Sequence, residues 1–169
     1  PNAISYKFIE KITLKLKERF NFSENYEMAI ECNPAHLEFK HIDLLKKYGF
    51  NRISIGIQDF RKDVLDAINR RESKRPLEDI EKKIEQTGFS GTNIDLVYGL
   101  PLQTVDSFKT TIERAISLGT DRIVTFSYAH VPSVLPRQKV LEEIGFPSPE
   151  SKAKMYENSY DQLTQAGYV

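Results

Sequence analysis

Four β-prone runs along this chain each end in a polar side chain at the point where a turn begins. Runs of this kind, separated by segments with helical spacing, predict parallel strands joined by helical crossovers. In parallel α/β folds, ligands lie at the carboxyl ends of the strands, so the polar residues at these ends are the first candidates for a functional site. The four runs cover residues 28–34, 53–60, 93–101 and 125–132.

Alternation along each run separates an apolar face from a small or polar face, because successive strand side chains point to opposite sides. A parallel sheet is usually apolar on both faces, so a recurring polar face predicts a polar occupant. The pattern predicts an α/β fold: a partial, open parallel βα barrel of four to five strands with helices on the outer face. The apolar set is Met28, Ile30, Cys32, Ile53, Ile55, Ile57, Ile94, Leu96, Val124 and Phe126, and the polar set is Ala29, Glu31, Asn33, Ser54, Gly56, Gln58, Asn93, Asp95, Val97, Thr125, Ser127 and Ala129.

Five helical segments are predicted around these strands. Pro76 suits a first helical turn, Thr104 suits an N-cap, and a glycine follows the segments as a stop signal. Helix, glycine and strand then recur as βα units, whose right-handed crossovers place all the helices on one side of a curled sheet. The segments are 3–20, 37–48, 76–87, 104–118 and 148–165, with stops at Gly49, Gly88, Gly119 and Gly167.

Length and charge indicate one domain over residues 1–169 without a general drive toward nucleic acid or membrane. The chain carries 24 basic and 24 acidic residues, and no window is apolar enough to span a bilayer. A single cysteine, Cys32, excludes an internal disulfide and favours the reducing cytosol. Four or five strands do not close a barrel, so we expect a domain truncated at both ends that self-associates through open sheet edges.

Five sequence blocks, in this order, resemble those of the oxygen-independent coproporphyrinogen III oxidases, a family of radical S-adenosylmethionine (SAM) enzymes. The resemblance covers the whole chain and implies the third to sixth βα units of a radical SAM barrel. It implies an oxidoreductase of heme biosynthesis that oxidatively decarboxylates two propionates of coproporphyrinogen III to the vinyl groups of protoporphyrinogen IX. The blocks are residues 30–34, 49–60, 69–70, 93–104 and 127–132.

The family uses a [4Fe-4S] cluster and two SAM molecules, together with an electron donor. Its cluster is held by three cysteines in a C-x-x-x-C-x-x-C loop, and this chain lacks that loop. Cys32 stands alone on the apolar face of its strand, so it does not replace the loop. The resemblance therefore implies a segment that binds no cluster and is inactive by itself, and it assigns the chain no catalytic or metal-binding residue.

The resemblance also implies cofactor-binding residues where the motifs match. Glu31 corresponds to the SAM site that faces the cluster. A second SAM site is implied for Gln58, Arg70, Asp95 and Ala129. Glu31, Gln58, Asp95 and Ala129 also fall on the polar face that strand alternation predicts on its own.

Structural roles are the alternative for each of these residues. Glu31 can pair with a basic group, Asp95 can cap a backbone N–H, and Gln58 can belong to a turn. Arg70 can belong to a solvated basic loop at residues 70–75. Tyr128 and His130 are expected to be structural, and His36 and His41 to lie on the surface.

Two other functions stay open at this point. The sister branch of heme chaperones shares several blocks, but it usually has Gln-Ser-Phe where this chain has Gln58-Asp59-Phe60, which favours the oxidase. A non-catalytic half-barrel that only binds a nucleotide is the other possibility.

Overall fold

The computed structural model describes Asn2 and residues 4–169, and it contains an open, four-stranded parallel sheet in the order β1-β2-β3-β4 with flanking helices. This confirms the predicted α/β fold. Ala3, where the first helical segment was expected to begin, lies outside the described residues. The strands are β1 (Ala29–Cys32), β2 (Arg52–Gln58), β3 (Gly91–Tyr98) and β4 (Arg122–Ser127), and the helices are α1 (Tyr6–Arg19), α2 (Phe39–Tyr48), α3 (Lys62–Ala67), α4 (Leu77–Thr87), α5 (Val105–Ser117) and α6 (Pro149–Gln165), with 3-10 segments at Pro34–His36 and Pro136–Glu143.

The predicted alternation holds in the first three strands. Along β2, Ile53, Ile55 and Ile57 are buried, whereas the residues between them are half-buried. The neighbouring strand β1 pairs with β2 in parallel register, with Ala29 opposite Arg52 and Cys32 opposite Ile55. The apolar faces of these strands therefore form the core, as the period of two requires.

The last strand departs from this pattern. Phe126 was expected on the apolar core face, but its side chain is 52% exposed, and Val124 is only half-buried. Strand β4 is an outer strand of the described sheet. The apolar face of an edge strand is buried only when a helix covers it, so alternation alone does not ensure burial.

The chain divides into two compact units, which are described separately. In the first unit, α1 packs on α2 and α2 packs on α4. Its core includes Ile42, Leu45, Ile80 and Ile84, which are fully buried. The first unit comprises Pro1–Gly56, Ser73–Ile94 and Thr120–Arg122.

The second unit contains the carboxyl-terminal residues of β2 and β3 and most of β4. Helix α5 packs on α6, and Phe108, Ile112 and Met155 are buried there. Every residue implied for the second SAM site belongs to this unit. It comprises Ile57–Glu72, Asp95–Gly119 and Ile123–Val169.

Most helix ends follow the predicted signals. Thr104 caps α5 in a capping box, in which its Oγ1 atom accepts from the Ser107 amide at 3.1 Å and the Ser107 Oγ atom accepts from the Thr104 amide at 2.9 Å. Gly49 and Gly88 end α2 and α4 with left-handed backbone angles. Pro76 is the N-cap of α4, one residue before the first turn in which it was expected.

Helix α1 buries little of its apolar sequence. Ile9 and Thr13 face the interior, whereas Phe8 and Ile12 are 59% and 54% exposed. Helical spacing therefore predicted the helix correctly, although most of its apolar residues are not in the core.

His41 is not a plain surface residue, contrary to the expectation. Its ring stacks on Tyr6 at a centroid distance of 4.1 Å, and its Nδ1 atom accepts a hydrogen bond from the Glu38 amide. Burial lowers the pKa of His41. His36 is exposed, as expected.

Within Asn2 and residues 4–169, no helix combines the length and the apolar composition that a bilayer crossing requires.

Candidate functional site

Gln58 is the last residue of β2 and has an unusual backbone. Its φ angle is 71°, in the left-handed region that residues other than glycine seldom occupy. The residue is half-buried, on the face opposite the buried isoleucines of the strand. Backbone strain of this kind persists only where surrounding contacts hold it, and it clusters at functional sites.

Arg70 follows a short helix, α3, that the sequence did not reveal. Helix α3 is followed by Asn69, whose φ angle is 53°, and the Arg70 amide then donates to the Leu65 carbonyl at 2.8 Å. These contacts turn the chain sharply after the helix. Arg70 is thus held in a defined turn and is half-buried, and it is not part of a solvated loop.

Arg70 and Asp95 are brought together within the second unit. Burial lowers the pKa of the Arg70 guanidinium, and the negative charge of Asp95 opposes that shift. Asp95 lies in the fifth position of β3 and is half-buried. A guanidinium and a carboxylate in one region offer charged donors and acceptors to a ligand.

Asp95 and Gln58 lie on neighbouring strands. In the first unit, the Asn93 side-chain amide donates to the Ser54 hydroxyl at 2.6 Å, which links the half-buried faces of β3 and β2. In the second unit, Asp95 and Val97 lie on the half-buried face of β3, and Gln58 lies on the half-buried face of β2.

Ala129 lies beyond the last strand, so strand alternation does not apply to it. Strand β4 ends at Ser127, and Ala129 is exposed in the following turn. The Ala129 carbonyl accepts a hydrogen bond from the side-chain amide of Gln138 at 3.0 Å. The Val131 amide donates to the other end of the same side chain at 2.7 Å. Gln138 was not predicted as a site residue, since only the fold brings it to this turn.

The residue before Ala129 is anchored by backbone contacts. The Tyr128 amide donates to the Tyr98 carbonyl at 2.8 Å, and Lys152 donates to the Tyr128 carbonyl at 2.9 Å. The Lys152 side chain packs against Gly99. A Cβ atom added to Gly99 would lie 2.5 Å from the Lys152 Cε atom. Gly99 has a φ angle of 82°, so the backbone favours glycine there, and a larger residue would also displace the Lys152 side chain.

Tyr128 and His130 form an aromatic cluster with Phe146. The His130 and Phe146 ring centroids lie 4.6 Å apart, and those of Tyr128 and Phe146 lie 5.6 Å apart. The Nε2 atom of His130 is 2.9 Å from the Glu142 carboxylate. These contacts agree with the structural role that was expected for both residues.

Glu31 lies in the first unit, at the carboxyl end of β1, and is exposed. Over the described ranges, Asn2 and 4–169, no basic side chain forms an ion pair with it, so the ion-pair alternative receives no support. The next residue, Cys32, is buried, and desolvation raises the pKa of its thiol to about 12. A buried thiol of this pKa is a small apolar side chain and a poor metal ligand.

A buried polar network joins the turns that follow β2 and β3. Asp59 is 1% exposed and Gln103 is 5% exposed. The Gln103 amide donates to the Asp59 carboxylate at 2.7 Å and to the Val97 carbonyl at 2.9 Å. Sequence reasoning did not find this network, although the polar residues after each strand were its signal.

The second unit therefore presents a donor and acceptor set suited to a zwitterionic ligand. Arg70 can hold a carboxylate bidentately, Asp95 can accept from an ammonium group or hydroxyls, and Gln58 can do both. In the part of the chain that the structure describes, no cluster of three or more His, Cys, Asp or Glu residues could hold a metal ion. The set fits SAM, whereas the described residues do not fit an iron–sulfur cluster.

Comparison with known proteins gives one family match. The model of the radical SAM superfamily matches residues 2–115. The oxygen-independent coproporphyrinogen III oxidase of Escherichia coli K12 is 36% identical over 168 residues, which cover 99% of this chain and 37% of that protein. The oxidase of the same name from Synechocystis is 37% identical over 169 residues, covering 100% of this chain and 36% of that protein.

Solved structures agree with the sequence matches. The structure of coproporphyrinogen III oxidase from Escherichia coli, described as a radical SAM enzyme, has a TM-score of 0.94 at 36% identity and covers 100% of this chain and 39% of that chain. The radical SAM methyltransferase TsrM from Kitasatospora setae has a TM-score of 0.58 at 15% identity, covering 75% and 23%, and shows likeness of fold alone.

Proposed function

The chain belongs to the radical SAM superfamily, and we propose that it is the central segment of an oxygen-independent coproporphyrinogen III oxidase. The proposed reaction is the oxidative decarboxylation of coproporphyrinogen III to protoporphyrinogen IX in heme biosynthesis. The observation that carries this proposal is the match to the Escherichia coli oxidase along the whole chain, with a TM-score of 0.94. The chain spans about 37% of the length of the curated oxidases that it matches.

We assign the second unit a SAM site formed by Gln58, Arg70, Asp95 and Ala129. Arg70 would hold the carboxylate of SAM, and Asp95 would accept hydrogen bonds from its α-ammonium group or ribose hydroxyls. Gln58 would donate and accept beside them. The electrostatic interaction between Arg70 and Asp95 supports this assignment, because it indicates a positive and a negative group in the same region of the second unit.

Ala129 would contribute backbone to the site. Its carbonyl already accepts one hydrogen bond from Gln138, and a carbonyl oxygen has a second lone pair. Gln138 therefore holds this turn in place while leaving an acceptor for the cofactor.

Glu31 is assigned to the SAM site that faces the cluster. Its exposure at the carboxyl end of β1, without an ion pair among the described residues, supports this role. SAM supplies the oxidising chemistry of this superfamily when it is bound. The cluster requires thiolates that the described residues do not provide, so we derive no step through it.

The proposed activity implies coproporphyrinogen III as substrate, an electron donor as partner and the cytosol as location. A cysteine-ligated cluster and a single free thiol both suit a reducing compartment. The neutral charge balance gives no support to a nucleic-acid partner.

A half-barrel that only binds a nucleotide is the second candidate. The observation in its favour is that Arg70 and Asp95, which lie in the same region of the second unit, are sufficient for binding a charged ligand. Such a module would bind SAM through the same residues without turnover.

A graft protein tests the proposed function. In it, the 169 residues of this chain replace the homologous segment of the Escherichia coli oxidase, and decarboxylation of coproporphyrinogen III is measured under anaerobic conditions. We expect turnover in the parent graft and its loss in Asp95→Ala. Asp106→Ala is the control, because Asp106 is exposed in the first turn of α5.

Two results would contradict the proposal. A folded parent graft without turnover that still binds SAM would favour the binding module. Equal turnover in Asp95→Ala and Asp106→Ala would remove the site assignment.

A further inference from the structure

The buried pair Asp59 and Gln103 connects the segments that follow two strands, β2, which ends at Gln58, and β3, which contains Asp95. Both residues lie in the second unit, 44 positions apart in the sequence. Asp59 directly follows Gln58, and Gln103 lies in the turn between β3 and α5. The hydrogen bond between their side chains is 2.7 Å long and is shielded from water.

Each end of Gln103 has a separate backbone partner. Its Oε1 atom accepts from the Leu100 amide at 2.8 Å, and its Nε2 atom donates to the Val97 carbonyl at 2.9 Å as well as to Asp59. Val97 is two residues beyond Asp95 in β3. The Gln103 side chain thus fixes the backbone at the end of the strand that presents Asp95.

Asp59 is fixed as firmly on its side. One carboxylate oxygen accepts from the Arg61 amide at 2.7 Å and from the Thr111 hydroxyl at 3.4 Å, and the other accepts from Gln103. The preceding residue, Gln58, is held at a φ angle of 71°. A left-handed residue other than glycine needs such external contacts to keep its conformation.

We propose that Asp59 and Gln103 are a positioning pair for the SAM site of the second unit. The pair sets the orientation of Gln58 and the position of the β3 backbone that carries Asp95. The inference rests on the proposed function, which assigns Gln58 and Asp95 to SAM. Neither member of the pair is assigned to contact SAM, since Asp59 and Gln103 are 1% and 5% exposed and their polar atoms are bonded within the protein. Loss of their hydrogen bond shifts the two strand ends relative to each other, and SAM binding weakens.

A purely structural role makes a different prediction. Breaking a buried hydrogen bond then lowers the melting temperature, as any core change does, and leaves the SAM affinity of the folded protein unchanged. A positioning role weakens SAM binding beyond what the loss of stability explains. SAM affinity and melting temperature must therefore be measured on the same variants.

The experiment uses calorimetric titration of the folded graft protein with SAM. Asp59→Asn keeps the size of the side chain, and its Oδ1 atom can still accept from the Arg61 amide. Its NH₂ group then faces the NH₂ group of Gln103, and two donors form no hydrogen bond. We expect its SAM dissociation constant to rise about tenfold. Ile112→Val is the control, because Ile112 is fully buried on α5 and its truncation lowers the melting temperature while every hydrogen-bonding side chain of the pair and of Thr111 is kept.

Gln103→Glu is the second variant and includes a rescue. It places two carboxylates face to face, with Arg61 as the charged group acting on Asp59. Facing carboxylates share one proton as the pH falls, which restores a hydrogen bond between them. SAM affinity of Gln103→Glu should be weak at pH about 8 and recover in part at pH about 6, because the shared proton restores the bond to Asp59 and not the bond to the Val97 carbonyl. The parent is titrated at both pH values as the reference.

The outcomes separate the two hypotheses. Loss of SAM affinity in Asp95→Ala, together with parent affinity in folded Asp59→Asn and in Gln103→Glu at both pH values, would overturn the positioning pair alone. Parent affinity in Asp95→Ala would overturn the proposed SAM site itself. Weak binding in Asp59→Asn, with parent binding in an equally destabilised Ile112→Val, would support the pair.

Discussion

The Thr92 amide donates a 2.7 Å hydrogen bond to the Asp121 carboxylate, at the start of β3 in the first unit. The carboxyl group of Glu81 on α4 lies near both. Burial raises the pKa of Glu81 to about 7, with a further increase from the charge of Asp121 and a decrease from the Thr92 side-chain hydrogen bond. Glu81 is therefore neutral in the folded protein over a pH range in which it is ionised in the unfolded chain.

Glu81 should make the stability of the protein fall as the pH rises. Below the unfolded pKa of 4.5, Glu81 is protonated in both states and has no net effect. Between that value and about 7 the folded state binds more protons, so the free energy of unfolding decreases with pH. Glu81→Gln should remove this loss, giving a more stable protein at pH 8 and little change at pH 4, as measured by urea unfolding.

Glu85→Gln is the matched control for this prediction, because Glu85 is exposed on the same helix. A constant difference in stability between Glu81→Gln and the parent at all pH values would contradict the assignment of the proton to Glu81.

Ile55→Ala should destabilise the protein without acting on the site directly. Ile55 is 1% exposed on the buried face of β2, and its truncation leaves a cavity. We expect a loss of about 2–5 kcal/mol in the free energy of unfolding, measured by denaturant titration. Val134→Ala, at a position that is 74% exposed, should change it by less than about 0.5 kcal/mol. Similar values for the two variants would show that β2 does not form the core.

Gln138→Ala should loosen the turn that contains Ala129. Both ends of the Gln138 side chain are hydrogen-bonded to this turn, so their loss frees the Val131 amide. Hydrogen exchange at Val131 should accelerate, and the free energy of unfolding should fall by about 0.5–1.5 kcal/mol for each lost bond. Lys139→Ala, at an exposed neighbouring position, is the control. Unchanged exchange at Val131 would show that Gln138 does not hold the turn.

The isolated chain should self-associate through its sheet edges. Strands β1 and β4 are the outer strands of the described sheet, and Phe126 of β4 is 52% exposed. Unpaired edges with apolar side chains are templates for pairing with another chain. Sedimentation velocity at micromolar concentration should show dimers or larger species, and Phe126→Lys should reduce them. A monomer over the whole concentration range would contradict this prediction.

The sequence predicted the features that depend on local spacing. Ile53, Ile55 and Ile57 alternate with half-buried residues because the strand period is two, whatever lies around the strand. The cap at Thr104 was equally predictable, because its partner Ser107 is three residues away.

Features that depend on distant partners were not predictable. The partner of Asp59 is 44 residues away, and Gln138 reaches Ala129 only after the 3-10 segment Pro136–Glu143 folds back. Phe126 was assigned to the core because it alternates with polar residues along its strand, although burial also requires a covering helix. Long-range hydrogen bonds and the burial of an edge strand by a helix follow from tertiary packing. The hydrophobic periodicity of the sequence does not predict that packing.

The SAM affinity of Asp95→Ala in the graft protein tests the central claim most directly. Loss of a charge-assisted hydrogen bond of about 1.5–3 kcal/mol should weaken binding about 10- to 150-fold, and Gln58→Ala should weaken it by about 0.5–1.5 kcal/mol. The melting temperature should fall less than in Ile55→Ala, because both side chains lie on the half-buried polar face of the sheet, away from the core, and Asp95→Ala removes only the charge that acts on Arg70. Parent affinity for SAM in folded Asp95→Ala and Gln58→Ala would contradict the proposed site at the ends of β2 and β3.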